Sequence, residues 1–199
     1  PELDVAHPVL GPSDGGTTVA IFGEGFHSGP SVWCRFTGAA NAPGGANASA
    51  MPLVHSVVTL ARILSRTHLE CISPRLAPGY KSIDLSFNGD PPPGDFSSDA
   101  VAFEYHEPVR LSAVIPARER VEGEVPIHIY GSGFSARAAA LGYLSCRFGN
   151  ATSPAVLLPG GNELMCMLPR GKPGFVAAEV SNNRADYTRN VLMFEYADV

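Results

Sequence analysis

The chain has 199 residues, 45% of them hydrophobic. That is enough for one large domain or two of about 100 residues, and it excludes wholesale disorder. Nineteen acidic against fourteen basic residues leave a net charge of −5. With only Lys81 and Lys172 as lysines, this argues against a phosphate-binding groove for nucleic acid.

Gly 21 and Pro 18 imply frequent turns, and the sparse charge with recurrent Val, Phe and Thr favours strands over helical bundles. In chain order, alternation and turn residues predict strands at 18–22, 32–36, 54–63, 68–72, 81–87 and 100–105. A second series is predicted at 125–130, 144–148, 155–158, 163–167, 175–181 and 191–196. Residues 136–142 have room for one helical turn. Short strands spaced by ~8–12 residues, with no long 3.6-residue period, mean an antiparallel β-sandwich. No apolar run approaches the ~18–20 residues that span a bilayer.

The chain repeats itself. Ile21-Phe22-Gly23-Glu24-Gly25-Phe26 recurs as Ile129-Tyr130-Gly131-Ser132-Gly133-Phe134, and Cys34-Arg35-Phe36 recurs as Cys146-Arg147-Phe148. Cys71-Ile72-Ser73-Pro74 matches Cys166-Met167-Leu168-Pro169. Ile83-Asp84-Leu85-Ser86 with Asn88 matches Ala178-Glu179-Val180-Ser181 with Asn183. Phe103-Glu104-Tyr105 closes the first half as Phe194-Glu195-Tyr196 closes the second. Five landmarks in one order define two tandem β-sandwich domains, 1–107 and 108–199.

Cys34, Cys71, Cys146 and Cys166 contain no Cys-x-x-Cys pair, so neither a zinc knuckle nor a redox motif is expected. They read as small buried hydrophobes or as two disulfides. Asn47-Ala48-Ser49 and Asn150-Ala151-Thr152 are N-glycosylation sequons in loop-like sequence. An even cysteine count with two sequons points to an extracellular or cell-surface location through the secretory pathway. The chain opens Pro1-Glu2-Leu3-Asp4, which reads as a fragment of a longer protein whose membrane anchor lies elsewhere.

Other chemistry fails on spacing. Gly23-Glu24-Gly25 and Gly131-Ser132-Gly133 lack the third glycine and following helix of a dinucleotide loop; they read as turn glycines with positive φ. No Gly-x-Ser-x-Gly elbow occurs, and no histidine is coupled to a nucleophile. His128 alternates with Ile127 and Ile129 and is expected to face solvent. Glu104 and Glu107 are too few for calcium. No catalytic residue, metal site or cofactor is expected.

Taken together, the landmarks resemble the IPT/TIG family, immunoglobulin-like domains found in plexins and other cell-surface receptors and in several transcription factors. The resemblance rests on Pro8, Gly15-Gly16-Thr17, the Gly-x-Gly-Phe and Cys-Arg-Phe motifs, the later Cys-x-x-Pro and the closing Phe-x-Tyr. The second unit departs from it where Glu122-Gly123-Glu124 replaces Gly-Gly-Thr, so a different opening turn is expected there. The resemblance implies pairing within each unit, Cys34 with Cys71 and Cys146 with Cys166. It also implies a non-catalytic extracellular fragment acting in adhesion or receptor recognition through loops and sheet edges, with protein or glycan at a cell surface as partner. Loops 37–52, 90–95 and 135–143 are the candidates. Spacer repeats projecting another binding domain are the main alternative. A carbohydrate-binding module is disfavoured because the sole Trp33 adjoins Cys34, and a transcription-factor role is disfavoured by acidity.

Overall fold

A computed structural model describes residues 2–27, 31–38, 56–89 and 95–198. The chain divides into two compact units, Pro1–His106 and Glu107–Val199. The first contains β1 (Glu2–His7), β2 (Leu10–Pro12), β3 (Thr18–Glu24), β4 (Trp33–Gly38), β5 (Ser56–Ser65), β6 (His68–Ile72), β7 (Gly79–Ser86) and β8 (Val101–His106). Their hydrogen-bonded order is β1-β3-β6-β5-β4-β7-β8-β2. The ladder folds over at β5: up to Leu60 this strand pairs with β4, and from Ala61 it pairs with β6. One strand therefore serves both layers of a sandwich. Alternate residues of the inner faces fill the core: Val19 and Ile21, Cys34 and Phe36, Leu69 and Cys71, Ile83 and Leu85, Phe103 and Tyr105.

The second unit repeats the design with β9 (Arg110–Ile115), β10 (Arg118–Arg120), β11 (Pro126–Ser132), α1 (Ala136–Ala140), β12 (Ser145–Phe148), β13 (Ala151–Leu157), β14 (Glu163–Met167), β15 (Gly174–Ser181) and β16 (Leu192–Ala197). The order β10-β16-β15-β12-β13-β14-β11-β9 is that of the first unit. Here β13 turns the corner, pairing with β12 through Pro154 and with β14 from Ala155. The corner amides are held alike, Ala61 N donating to Val32 O and Ala155 N to Leu144 O, at 2.8 and 3.0 Å. Helix α1 is the expected single turn, capped by the Ser135 hydroxyl, which accepts from Ala138 N.

The opening strands β1 and β9 were not expected. Each carries a bulge against its partner, with Asp4 and Ser112 as the extra residues. The buried residues of each strand, Leu3 with Ala6 and Leu111 with Val114, consequently lie three apart. That spacing hides a strand from a period-two reading. After cis bonds at His7-Pro8 and Ile115-Pro116 the chain crosses to the other layer. There β2 and β10 pair in parallel with β8 and β16.

The two glycines of Gly-x-Gly-Phe have different tasks. Gly25 and Gly133 take φ of 73° and 79°, as expected of a turn glycine. Gly23 and Gly131 do not share that conformation, which corrects the expectation for them. A Cβ at Gly23 would collide with Glu2 O, and one at Gly131 with Arg110 O. The ring of Phe26 or Phe134 then folds over the bare glycine, Cζ lying 2.9 or 3.0 Å from where a Cβ would sit. The motif lets β1 or β9 approach closely and seals the place with an aromatic ring. Nor does the opening turn of the second unit differ: Gly123 and Glu124, at φ 67° and 64°, stand where Gly15 and Gly16 stand at 75° and 88°. Gly16 N donates to Ser73 O and Glu124 N to Leu168 O, both at 2.8 Å.

Cys34 of β4 is bonded to Cys71 of β6, and Cys146 of β12 to Cys166 of β14, with Cα separations of 6.4 and 6.3 Å. Each bond joins the two layers. Beside it sits the aromatic cluster of the closing motif. Phe36, Phe103 and Tyr105 meet edge to face in one unit, as Phe148, Phe194 and Tyr196 do in the other.

The cystine loops have sequence separations of 37 and 20. Replacing both cysteines of a pair by alanine is expected to lower stability by about 4 kcal/mol in the first unit and about 3 in the second. Denaturant unfolding of the two variants checks the order. Burial raises the pKa of Tyr105, and likewise of Tyr196. The unfolded chain therefore releases its phenol protons first, near pH ~10. Stability is intact below that pH and falls as pH rises above it in both units. Melting midpoints between pH 8 and roughly 11 should show this loss, and Tyr105→Phe should reduce it.

Candidate functional site

Because Cys34 and Phe36 face inward, the arginine between them faces outward, and the same holds for Arg147. Each lies directly across from an acid on the neighbouring strand, Arg35 opposite Asp84 and Arg147 opposite Glu179. Arg147 Nε and Nη2 donate to the two oxygens of Glu179, both at 2.8 Å. The shorter Asp84 reaches Arg35 through one oxygen only, at 3.1 and 3.0 Å. Each guanidinium also lies over an aromatic ring, Phe96 for Arg35 and Tyr187 for Arg147, at 3.9 Å from the centroid. Glu179 raises the Arg147 pKa above its ordinary value, chiefly through the hydrogen bonds.

In the second unit this face is concave. Ser145, Arg147, Asn150, Thr152, Ser153, Pro154, Arg184 and Tyr187 line an open cavity of about 680 Å³. The segment after β15 builds one wall. Asn183 Oδ1 accepts from Ala185 N and Asp186 N, closing a tight turn, and the Thr188 hydroxyl accepts from Val180 N. This places Tyr187 over the sheet, with its hydroxyl 3.0 Å from Ser145 Oγ. Arg184, at φ 61°, donates from Nη2 to Gly142 O at 2.6 Å. The site offers hydroxyls, guanidinium groups and an aromatic ring to a polar ligand.

Asn150 sits at the apex of the two-residue hairpin between β12 and β13, where Phe148 pairs with Ala151 and Gly149 takes φ 61°. Both Asn150 and Thr152 are exposed. Asn47 lies outside the described residues, as do residues 39–52 of one candidate loop and 90–94 of another. In the third, 135–143, Ala138 is buried and Tyr143 N donates to Ala138 O at 2.8 Å, while Ala136, Ala140 and Leu141 are exposed. Trp33 is half-buried on the outward side of β4. Half-exposed His128 meets the Glu163 carboxylate, Nδ1 to Oε1 at 2.6 Å. Tyr130 donates to the same oxygen at 3.1 Å, and that bond raises the Tyr130 pKa. Among the described residues no group of three or more His, Cys, Asp or Glu is placed to hold a metal ion, and no helix is long and apolar enough to cross a membrane.

The paired arginines were missed from sequence. The available signal was the acid recurring in register, Asp84 and Glu179, together with the arginine of Cys-Arg-Phe. Charge alone does not show that the two strands are neighbours.

The IPT/TIG domain family model matches residues 1–105 and again 108–196. No curated protein matches the sequence. Among solved structures, the full extracellular region of plexin A4 (domains 1 to 10) aligns over 98% of this chain and 16% of that chain, at 14% identity and a TM-score of 0.53. A second plexin A4 structure aligns at 17% identity and a TM-score of 0.45, over 98% of this chain and 18% of that one. Murine CEACAM1b aligns over 100% and 99% of the two chains, at 12% identity and a TM-score of 0.31. The chain thus spans less than a fifth of the plexin structures it matches.

Arg147→Met leaves the half-buried Glu179 without its fork and is expected to destabilise the second unit by about 1–2 kcal/mol after solvent screening. The matching Arg35→Met change leaves the more deeply buried Asp84 without its partner and should weaken the first unit at least as much. Chemical denaturation of the two variants compares them.

Proposed function

The chain belongs to the IPT/TIG family, and from that membership we propose that it is a tandem, non-catalytic recognition module of a larger cell-surface protein. The observation that carries this reading is the cystine in each unit, which joins the two layers of each sandwich. Such bonds persist in the oxidising secretory and extracellular spaces and are rare in the reducing cytosol. An exposed sequon at Asn150 agrees with that location, and the same reading places a second glycan on Asn47. The domain boundary falls near residue 107, so each sandwich closes on its own core.

Recognition on such a scaffold belongs to loops and outward sheet faces. The partner class proposed is a protein or glycan at a cell surface, with no nucleic acid and no cofactor. The spacer reading draws its support from loop 135–143, whose backbone is fixed by a capped helical turn.

The test is secretion of the whole chain from a eukaryotic cell, non-reducing peptide mapping, and binding of the multimerised product to cells and glycan arrays. Two intra-unit cystines with saturable binding support recognition. Cystines without binding select the spacer reading, and four free thiols would remove the extracellular assignment.

A further inference from the structure

The cavity on the second unit and the sequon at Asn150 are one feature. Asn150 and Thr152 both line the concavity, and Asn150 occupies its rim at the hairpin apex. A sugar on the Asn150 amide therefore begins inside the cavity mouth. The volume, about 680 Å³, lies within the range of small-ligand sites. Its lining is suited to a saccharide: the Tyr187 hydroxyl, the exposed guanidinium of Arg184, and the rings of Pro154 and Tyr187. Two of these groups are already held in place. Tyr187 is stacked against Arg147, which Glu179 clamps, and Arg184 is tied to Gly142 O. Little side-chain freedom remains to be lost on contact.

We infer that the N-linked glycan of Asn150 folds back onto its own domain, its proximal sugars seated in this cavity. The inference rests on the secretory reading above. Attachment requires a lipid diphosphate-linked oligosaccharide as donor. Asn150 Nδ2 forms the new bond to the anomeric carbon, the carbon–oxygen bond to the diphosphate breaks, and the amide loses one proton to solvent. The seated sugar then covers the Arg147–Glu179 pair and removes this sheet face from contact with protein partners.

The experiment uses the whole chain secreted from eukaryotic cells in an Asn47→Gln background, with ¹³C-labelled sugar. Occupancy of Asn150 is read by peptide mass spectrometry, and contacts by nuclear Overhauser effects from sugar protons to Tyr187 and Pro154. Expected are occupancy, those contacts, and a fall of about 4 °C in the second unit's melting midpoint on Asn150→Gln. In an Arg184→Ala background that fall should shrink. An occupied Asn150 without sugar contacts to Tyr187 or Pro154 overturns the inference and leaves the secretory reading standing. An unoccupied Asn150 in a secreted, cystine-bonded chain does the same, whereas an unoccupied Asn150 with four free thiols overturns both.

Discussion

The link between β4 and β6, repeated between β12 and β14, sets the geometry of each unit. The strand order puts the two bonded strands in facing layers, and the cystine holds those layers together at Cα separations of 6.4 and 6.3 Å. With the strands so placed, the alternation of β4 turns Phe36 inward onto Phe103 and Tyr105, and that of β12 turns Phe148 onto Phe194. The same alternation forces the intervening Arg35 and Arg147 outward. The cystine, the aromatic cluster and the arginine staple are three consequences of one three-residue stretch of strand.

The two units share this frame and differ on its surface. On the outer face of the first, His7, Ala20, Glu70 and Arg62 lie side by side across four strands. The equivalent row of the second is Ile115, His128, Met165 and Val156. A polar row has become a largely apolar one, with Ile115 and Val156 exposed. Interior substitutions are limited to similar volumes by close packing, while an outward position tolerates any side chain that does not disturb the ladder. The inner faces therefore repeat and the outer faces diverge. The turn after β7 and β15 shows both tendencies. Ser86 and Ser181 bond alike to Asn88 and Asn183. Phe87, however, packs against Phe26, while Asn182 bonds to Gly133 O instead.

Legibility in the sequence followed the same division. Strands whose apolar residues alternate, such as β6 and β14, lie where period-two reading puts them, at His68–Ile72 and Glu163–Met167. The bulged β1 and β9 escaped because one inserted residue breaks the period. The short parallel β2 and β10 escaped because three residues hold too little pattern. Gly23 and Gly131 looked like turn glycines because a sequence does not display the carbonyl that a Cβ would strike.

Composition, alternation and repeat were enough by themselves to determine the sandwich class and its duplication, since these depend on residue pattern along the chain alone. The tertiary structure alone decided which acid meets which arginine, that β5 and β13 belong to two layers, and that Asn150 stands at the lip of a cavity. The arginine–acid relations join residues tens of positions apart through strand pairing within one sheet, and only the three-dimensional register of those strands brings them within a few ångströms.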